Sequence, residues 1–525
     1  RCKKPIIYRA TEQWFASVDA IKDAAVNACD GVWWNPEWGK ERMVSMIRER
    51  ADWCISRQRQ WGVPIPIFYC AKCGKEHIDK ASIRAVSDLF RREGSNAWFS
   101  RPASEILPEG TVCKHCGGTE FTKESDIMDV WFDSGSTQTS VLQQRPELRF
   151  PADLYLEGGD QYRGWFQSSL LTSIAANGKA PFRQIVTHGW TVDGEGKAMH
   201  KSLGNAVAPE EIIKDYGADI LRLWVSSADY RQDMRISKEI LRQLSDAYLK
   251  IRNTCRYILG NLSGFDPDDQ VPLGEMTALD RFALSRLNAL VEKVRAAYDV
   301  YEFHTVYRGI YNFCVVDLSN LYLDILKDRL YCEAPGSLAR RSAQTAIYRI
   351  LDGLVRMLAP LLAFTTEEIW AAMPHQQGAE AGSVLFNDMP AYDPSLALSD
   401  EEAARWEALL ALRTDVNRAL ESARAAKTIG KSLEAEVTLS FTAEAARRFE
   451  TIRDFPLTDL LIVSAVHVSD KTDGMAGEDF PGLTVHVAPS AAPKCVRCWN
   501  HRQDVGTDAA HPALCARCAG VVRSL

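Results

Sequence analysis

Eight of the 14 cysteines fall into four C-x-x-C pairs: Cys70/Cys73, Cys113/Cys116, Cys495/Cys498 and Cys515/Cys518. Such pairs in a long chain without an apolar leader read as metal ligation in a reducing compartment, not as disulfides. The last two pairs are 16 residues apart, the spacing at which four thiolates close a tetrahedral zinc ribbon or two knuckles. The first two are 39 residues apart, longer than a usual ribbon, but Gly74 and Gly117 each follow a doublet, where a knuckle turn needs a small residue. The expectation is two structural zinc ions per chain, with His77 and His115 not required. Cys29, Cys54, Cys255, Cys314 and Cys332 read as buried small hydrophobes. Lys494–Leu525 carries a net charge of +3 in a chain of net −7. With Trp499 available for stacking, this module is expected to contact RNA.

Two other stretches could hold a nucleotide. Gly194–Asn205 sets two glycines ahead of cationic and hydroxyl groups, a loop suited to clamping phosphates, although it is not a Walker A loop. Leu156–Phe166 (LEGGDQYRGWF) joins a predicted strand to a predicted helix, and strand ends in parallel α/β sheets are where ligands sit. Asp129–Gly135 puts an aromatic pair beside a turn.

These groups need elements to position them. Asp153–Glu157 and Gln184–Thr187 read as strands and Ser168–Ala175 as a helix between them, which suggests a parallel sheet. Beyond residue 235, Leu287, Leu290, Val291, Val294 and Tyr298 recur on one helical face, as do Ala343, Ile347, Ile350, Leu351 and Leu354. A helical bundle follows from them. A Gly-, Ala- and Pro-rich linker is expected at about 375–398, then a helix over 401–427 and a strand over 437–441. Gly474–Gly482 reads as a turn-rich join before the terminal cysteines. The chain has 525 residues, 46% hydrophobic and 25% charged, which excludes global disorder. No apolar run reaches the roughly 18 residues of a membrane span. The mild acidity argues against coating nucleic acid by bulk charge.

Taken together, the strings resemble the class I aminoacyl-tRNA synthetases, and among them bacterial-type isoleucine–tRNA ligases. The matching strings are Asp52–Pro66 (DWCISRQRQWGVPIP), Asp129–Thr137, Leu156–Phe166, Lys201–Asn205 after His188-Gly189, and the terminal CVRCW ending at Trp499. The resemblance implies a multi-domain α/β plus all-α architecture. Residues 1–65 would be part of the catalytic domain, 66–122 a zinc-binding insertion, and 123–234 the second half of a Rossmann-type catalytic domain. A helical anticodon-binding domain at 235–398, an α/β module at 399–484 and a zinc ribbon at 485–525 would follow.

By the same resemblance, Glu157, Gly158, Asp160 and Gln161 would hold the aminoacyl-adenylate, with Trp131 and Trp165 around the isoleucine side chain. His188 and Gly189 would lie near the adenine of ATP. Lys201, with Ser202, would hold the ATP phosphates as the catalytic lysine of a K-M-S-K-S-like loop. That loop departs from the family pattern at Ala198 and His200, and no H-x-G-H string occurs, so the chain resembles the C-terminal half of such an enzyme and is expected to be inactive alone. Cys2 fits the tail of a further cysteine doublet. The implied reaction is activation of L-isoleucine by Mg2+-ATP and transfer to tRNA(Ile). The expected setting is a cytoplasmic monomer with no membrane association. A valine or leucine ligase, or a non-catalytic tRNA-binding protein derived from a synthetase, is the alternative.

Overall fold

The computed structural model describes residues 5–200, 204–471 and 473–525. They form two compact units, one running to Thr191 with Tyr230–Met234 added, the other comprising Val192–Asp229 and Arg235–Leu525.

The first unit is built on a three-stranded parallel sheet. Its elements are β1 (Trp33–Asn35), helix α1 (Val130–Gly135), β2 (Tyr155–Gly158), helix α2 (Trp165–Asn177) and β3 (Gln184–His188). β3 is central, with Ile185 opposite both Trp34 and Tyr155. Ile185, Val186 and Thr187 are buried in succession, as expected of a strand covered on both faces. The crossover α2 sinks Phe166, Leu170, Leu171 and Ile174 into a core shared with Trp34, Tyr155, Tyr162 and Ile185. Both expected strands and the expected helix are present, in parallel order.

The segment 66–122 projects from this unit as a separate small fold. Ser56–Arg57 pairs antiparallel with Ile127–Met128 across its neck. Strands Phe68–Cys70, Glu76–His77 and Phe121–Lys123 form its sheet. Its helix Lys80–Glu93 starts at a capping box in which Asp79 accepts from the Ser82 amide. Phe68, Val86, Leu89, Trp98 and Ile106 make its core.

The second unit contains helix α3 (Ala218–Ser227) and a bundle that includes α4 (Lys238–Gly260), α5 (Ala278–Asp299), α6 (Leu323–Cys332) and α7 (Leu338–Leu358). Both apolar stripes expected from the sequence face inward: Leu287, Leu290, Val291 and Val294 on α5, and Ala343, Ile347, Ile350, Leu351 and Leu354 on α7 are all buried. Asp280, fully buried in the first turn of α5, accepts hydrogen bonds from Thr277, Tyr322, Ser342 and Arg329, so its charge is paired where water is excluded.

Val192–Asp229 clusters with the bundle. The cause is α3: Asp219 accepts the backbone amides of Phe364 and Thr365, and Arg222 donates to the carbonyls of Pro360 and Leu361. The α/β module does not end at 484. Strand β4 (Ala435–Phe441) pairs along its whole length with Leu483–Pro489, and a break at 484 would cut that strand. Gly474–Gly482 is therefore a connection inside the sheet, where a Cβ on Gly474 would come 2.2 Å from the Val485 carbonyl oxygen. The 375–398 segment is strapped to the bundle: Asn288 donates to the Asp393 carbonyl, and Arg295 to those of Met389 and Pro390. Among the described residues, no helix is long and apolar enough to cross a membrane.

Candidate active site and cysteine clusters

β2 and β3 deliver the candidate residues to one end of the parallel sheet. Glu157 pairs in register with Thr187, and Gly158 with His188. A Cβ on Gly158 would lie 2.9 Å from Asp160 Oδ1 and 3.4 Å from His188 Cε1, so this glycine lets the carboxylate and the imidazole approach the same backbone. His188 Nδ1 is 2.7 Å from the Gly189 carbonyl oxygen. Gly189 donates its amide to the Tyr230 carbonyl, and a Cβ there would strike the Gln232 backbone at 2.4 Å. The bend after β3 is thus built on close backbone contact.

Beyond β2 the chain makes a tight turn held by side chains. Gln161 accepts the Trp165 amide at 2.9 Å and donates to Asp160 Oδ2 at 3.2 Å. Tyr162 is fully buried, its hydroxyl 2.9 Å from that of Thr187. Trp165 stacks on Tyr155 with ring centroids 4.1 Å apart and donates its indole N–H to the Ser134 carbonyl. One face of that ring and its N–H are therefore already engaged. Trp131, on α1, is 40% exposed and lies against Gly164, where a Cβ would come within 2.9 Å of the indole. The structure thus brings Gly158, Asp160 and His188 together, and sets both Gln161 and Trp131 against Gly164. Glu157 stands half-buried on β2.

Sequence reasoning missed what anchors α1. Asp129 is buried, caps α1 by accepting the Trp131 amide, and also accepts Trp53 Nε1 at 2.9 Å and Arg57 at 3.0 Å. An Asp one residue before a short apolar run was the available signal.

The loop with the expected phosphate-binding lysine belongs to the other unit. Asp193 accepts the amides of Glu195 and Lys197 and the side-chain amide of Asn205, while Asn205 accepts the His200 amide. These bonds close the base of the loop, and Asn205 first, then the Lys197 amide, hold the Asp193 carboxyl below its usual range. Lys197 is paired with Glu195 at 2.6 Å. Lys201 and Ser202 lie outside the described residues, as does Cys2.

Each set of four cysteines converges. Within Cys70/Cys73/Cys113/Cys116 and within Cys495/Cys498/Cys515/Cys518, all Sγ atoms lie within 4.8 Å of one another. Cys70–Cys116 and Cys73–Cys113 are 3.5 and 3.6 Å apart, and Cys498–Cys515 3.9 Å. A tetrahedron with Zn–S of ~2.3 Å has edges of about 3.8 Å, so the donor sets fit that ion. Burial opposes ionisation of Cys495, but the amides of Cys498, Cys515 and Arg497 bring its thiol down to about 6, a thiolate ready for a cation. Gly74 and Gly117 adopt φ of +67° and +70°, each donating back to the carbonyl of the doublet's first cysteine. In the C-terminal set Trp499 takes the same place, with φ +63° and its amide bonded to the Cys495 carbonyl. A bulky residue in that conformation is an outlier. Its half-exposed ring sits under Lys431 and Lys494, at 5.0 and 5.7 Å.

The terminal module is not a free knob. Arg517 grips Asp328 with two nitrogens and Glu333 with one, while Arg497 donates to the carbonyls of Tyr331 and Cys332 at the C-terminus of α6. Cys332 is buried against the four cysteines, but Cys54 is half-exposed, because its strand is only two residues long and faces an open cavity.

Three family models match the chain. Residues 2–237 match tRNA synthetases class I (I, L, M and V), 280–439 the anticodon-binding domain of tRNA ligase, and 493–520 a zinc finger found in FPG and IleRS. The chain belongs to the class I aminoacyl-tRNA synthetases. It is 54% identical over 527 residues to an isoleucine–tRNA ligase of Syntrophotalea carbinolica, covering 99% of this chain and 56% of the relative. An isoleucine–tRNA ligase of Moorella thermoacetica is 51% identical, covering 100% and 57%. The chain thus spans little more than half the length of the curated relatives it matches. Among solved structures, Mycobacterium tuberculosis methionyl-tRNA synthetase in complex with methionyl-adenylate aligns with a TM-score of 0.51 at 18% identity, covering 73% of this chain and 67% of that one, a likeness of fold. Gly158 and His188 stand at the carboxyl ends of their parallel strands, the end of an open α/β sheet at which ligands generally bind.

Proposed function

We propose that this chain works as part of an isoleucine–tRNA ligase, joining L-isoleucine to tRNA(Ile) at the expense of ATP. The observation that carries the reading is identity above 50% to isoleucine–tRNA ligases along essentially the whole chain. In the first step an isoleucine carboxylate oxygen attacks the α-phosphorus of ATP, and pyrophosphate leaves with the bonding electrons. In the second, the terminal ribose hydroxyl of tRNA forms an ester bond to the acyl carbon. The bond from that carbon to the adenylate oxygen breaks, and the hydroxyl proton passes to the departing AMP.

Placement and charge neutralisation are the chain's contribution. Glu157, Gly158, Asp160 and Gln161 would hold the adenylate, and the free faces of Trp131 and Trp165 would wall the isoleucine side chain. His188 and Gly189 would border the adenine, and Lys201 and Ser202 would meet the phosphates, with Mg2+ entering as part of the ATP substrate. A zinc ion on Cys70, Cys73, Cys113 and Cys116 would hold the insertion together. A second, on Cys495, Cys498, Cys515 and Cys518, would hold Trp499 where the bundle and the cationic terminal module read unstacked anticodon bases. The enzyme would act as a cytoplasmic monomer. Isoleucine-dependent ATP–pyrophosphate exchange, followed by charging of tRNA(Ile), by the full-length protein tests this reading. Exchange driven by valine or leucine in preference to isoleucine, or none at all, would overturn it.

A further inference from the structure

The second unit holds a cavity of 700 Å³ bordered by α5, the helical segment Phe313–Tyr322 and a further helix, α8 (Asp400–Ala425). That volume falls in the range of small-ligand sites. None of its lining residues belongs to the candidate adenylate site, to either cysteine cluster or to the groups around Trp499. Its walls are mainly apolar: Phe282 and Trp406, stacked with ring centroids 4.2 Å apart, line it with Leu321, Leu410 and the exposed Val316.

Several polar groups on those walls are already used. Ser285 and Thr414 donate their hydroxyls to the carbonyls of Phe282 and Leu410 within their own helices. Asn288 exchanges two hydrogen bonds with the backbone of Asp393, and Arg286 is paired with Asp317 at 2.8 Å. Arg413 is different. It is 7% exposed, donates one nitrogen to the Asn320 carbonyl at 3.4 Å and has no ion pair among the described residues. Burial pulls its guanidinium below the usual range, and the acid that opposes this, Asp324, is itself paired with Lys327 at 2.6 Å. A buried cation without a counter-charge is costly. A carboxylate entering the cavity would supply that charge and could take two parallel N–H bonds from the guanidinium. Glu292 and Glu407 also line the cavity, exposed and without an ion pair among the described residues.

We propose that this cavity binds a small organic carboxylate with an apolar body, the carboxylate on Arg413 and the body against Phe282, Trp406 and Leu410. Two sources share that chemistry, a free apolar amino acid and an acid without the amino group. Glu292 and Glu407 favour the amino acid, whose ammonium group their charge would attract. The site does not depend on the reading of the chain as a synthetase, since every residue it uses lies in the second unit.

The test is titration calorimetry on the full-length protein with three probes of one shape: L-tryptophan, indole-3-propionate, which lacks the ammonium, and tryptamine, which lacks the carboxylate. Both acids should bind at millimolar concentration or below, and tryptamine roughly ten-fold or more weakly, the scale of one charge-assisted hydrogen bond. Arg413→Met, which keeps an apolar stem, should weaken both acids about ten-fold and leave tryptamine unchanged. Because a buried arginine can also be needed for folding, Ala289→Trp is the second variant. Ala289 is an exposed position of α5 lining the cavity, and a bulky ring there should abolish binding in a protein that melts normally. Tighter binding of L-tryptophan than of indole-3-propionate supports the amino acid as the source, and the reverse order supports the simple acid. Tryptamine binding as well as the acids, or acid binding unchanged in Ala289→Trp, would overturn the site. So would failure of both acids to bind. Loss of tRNA affinity in Arg413→Met, with neither acid binding wild type, would assign the cavity to RNA instead and equally overturn it.

Discussion

Replacing Gly164 by Ala should disturb at once the proposed adenylate contact of Gln161 and the proposed isoleucine wall of Trp131. The added methyl would lie 2.4 Å from Gln161 Oε1 and 2.9 and 3.1 Å from two ring carbons of Trp131. The Gln161 side chain can swing away, but its Oε1 then loses the Trp165 amide it now accepts at 2.9 Å. A lost hydrogen bond of this kind is worth about 0.5–1.5 kcal/mol. Trp131 has less freedom, because its helix is capped by Asp129, itself held by Trp53 and Arg57. Overpacking against such a side chain typically costs ~1–3 kcal/mol. The sum, about 1.5–4.5 kcal/mol, corresponds to a roughly 10- to 1,600-fold fall in kcat/KM for isoleucine at ~1.4 kcal/mol per decade. Pyrophosphate exchange by the full-length Gly164→Ala protein, at varied isoleucine and saturating ATP, measures it. Isoleucine kinetics within two-fold of wild type, in a variant that melts normally, would show that Gln161 and Trp131 do not shape the amino-acid site.

Elemental analysis of the purified protein should return two zinc ions per chain, and removal of zinc by a chelator should release the terminal module from α6; fewer than one zinc would refute the metal assignment. In the full-length enzyme Lys201→Ala should slow adenylate formation by ~10²–10³, the usual worth of a group aimed at developing charge. Lys197→Ala should cost less, since Lys197 is committed to Glu195, and equal losses in the two variants would leave the loop only a diffuse positive charge. The 525-residue chain by itself should not exchange pyrophosphate at a useful rate, because it lacks an H-x-G-H string, and robust activity from it would contradict that. Asp79→Ala should destabilise the insertion by about 1 kcal/mol at neutral pH through loss of the helix cap. The Ser82 amide, then Lys114, pull the Asp79 carboxyl down to about 2. Its stabilisation is therefore full above the ordinary carboxylate value near ~4 and lost as pH falls through about 2, so the melting difference between wild type and variant should shrink over that window.

What could be read from the sequence is what local chemistry dictates. A C-x-x-C doublet has few other uses, and both clusters assembled as their spacing required. β2, α2 and β3 were legible because a buried parallel strand and its crossover helix are apolar in characteristic runs. The contacts that could not be read join residues far apart in the chain. Asp129 gains its role from Trp53 and Arg57, more than 70 positions earlier, and α3 joins the bundle through Asp219 and Thr365, 146 positions apart. The module boundary was misplaced because a turn-rich stretch inside a sheet looks like a linker until its flanking strands are seen to pair. Trp499 shows the opposite limit, since nothing in its residue type announces a left-handed backbone that the knuckle geometry imposes.

The most direct measurement is ATP–pyrophosphate exchange by the full-length protein with isoleucine, valine and leucine at matched concentrations. Isoleucine should give the highest kcat/KM. Valine should trail by ~10–200-fold, because one methylene in an apolar pocket is worth about 1–3 kcal/mol, a magnitude taken from this enzyme family itself. Leucine, of the same volume but branched one carbon later, should be poorer than isoleucine against the fixed ring of Trp165. Exchange that prefers valine or leucine, or that shows no dependence on any of the three, would contradict the assignment of this chain to isoleucine activation.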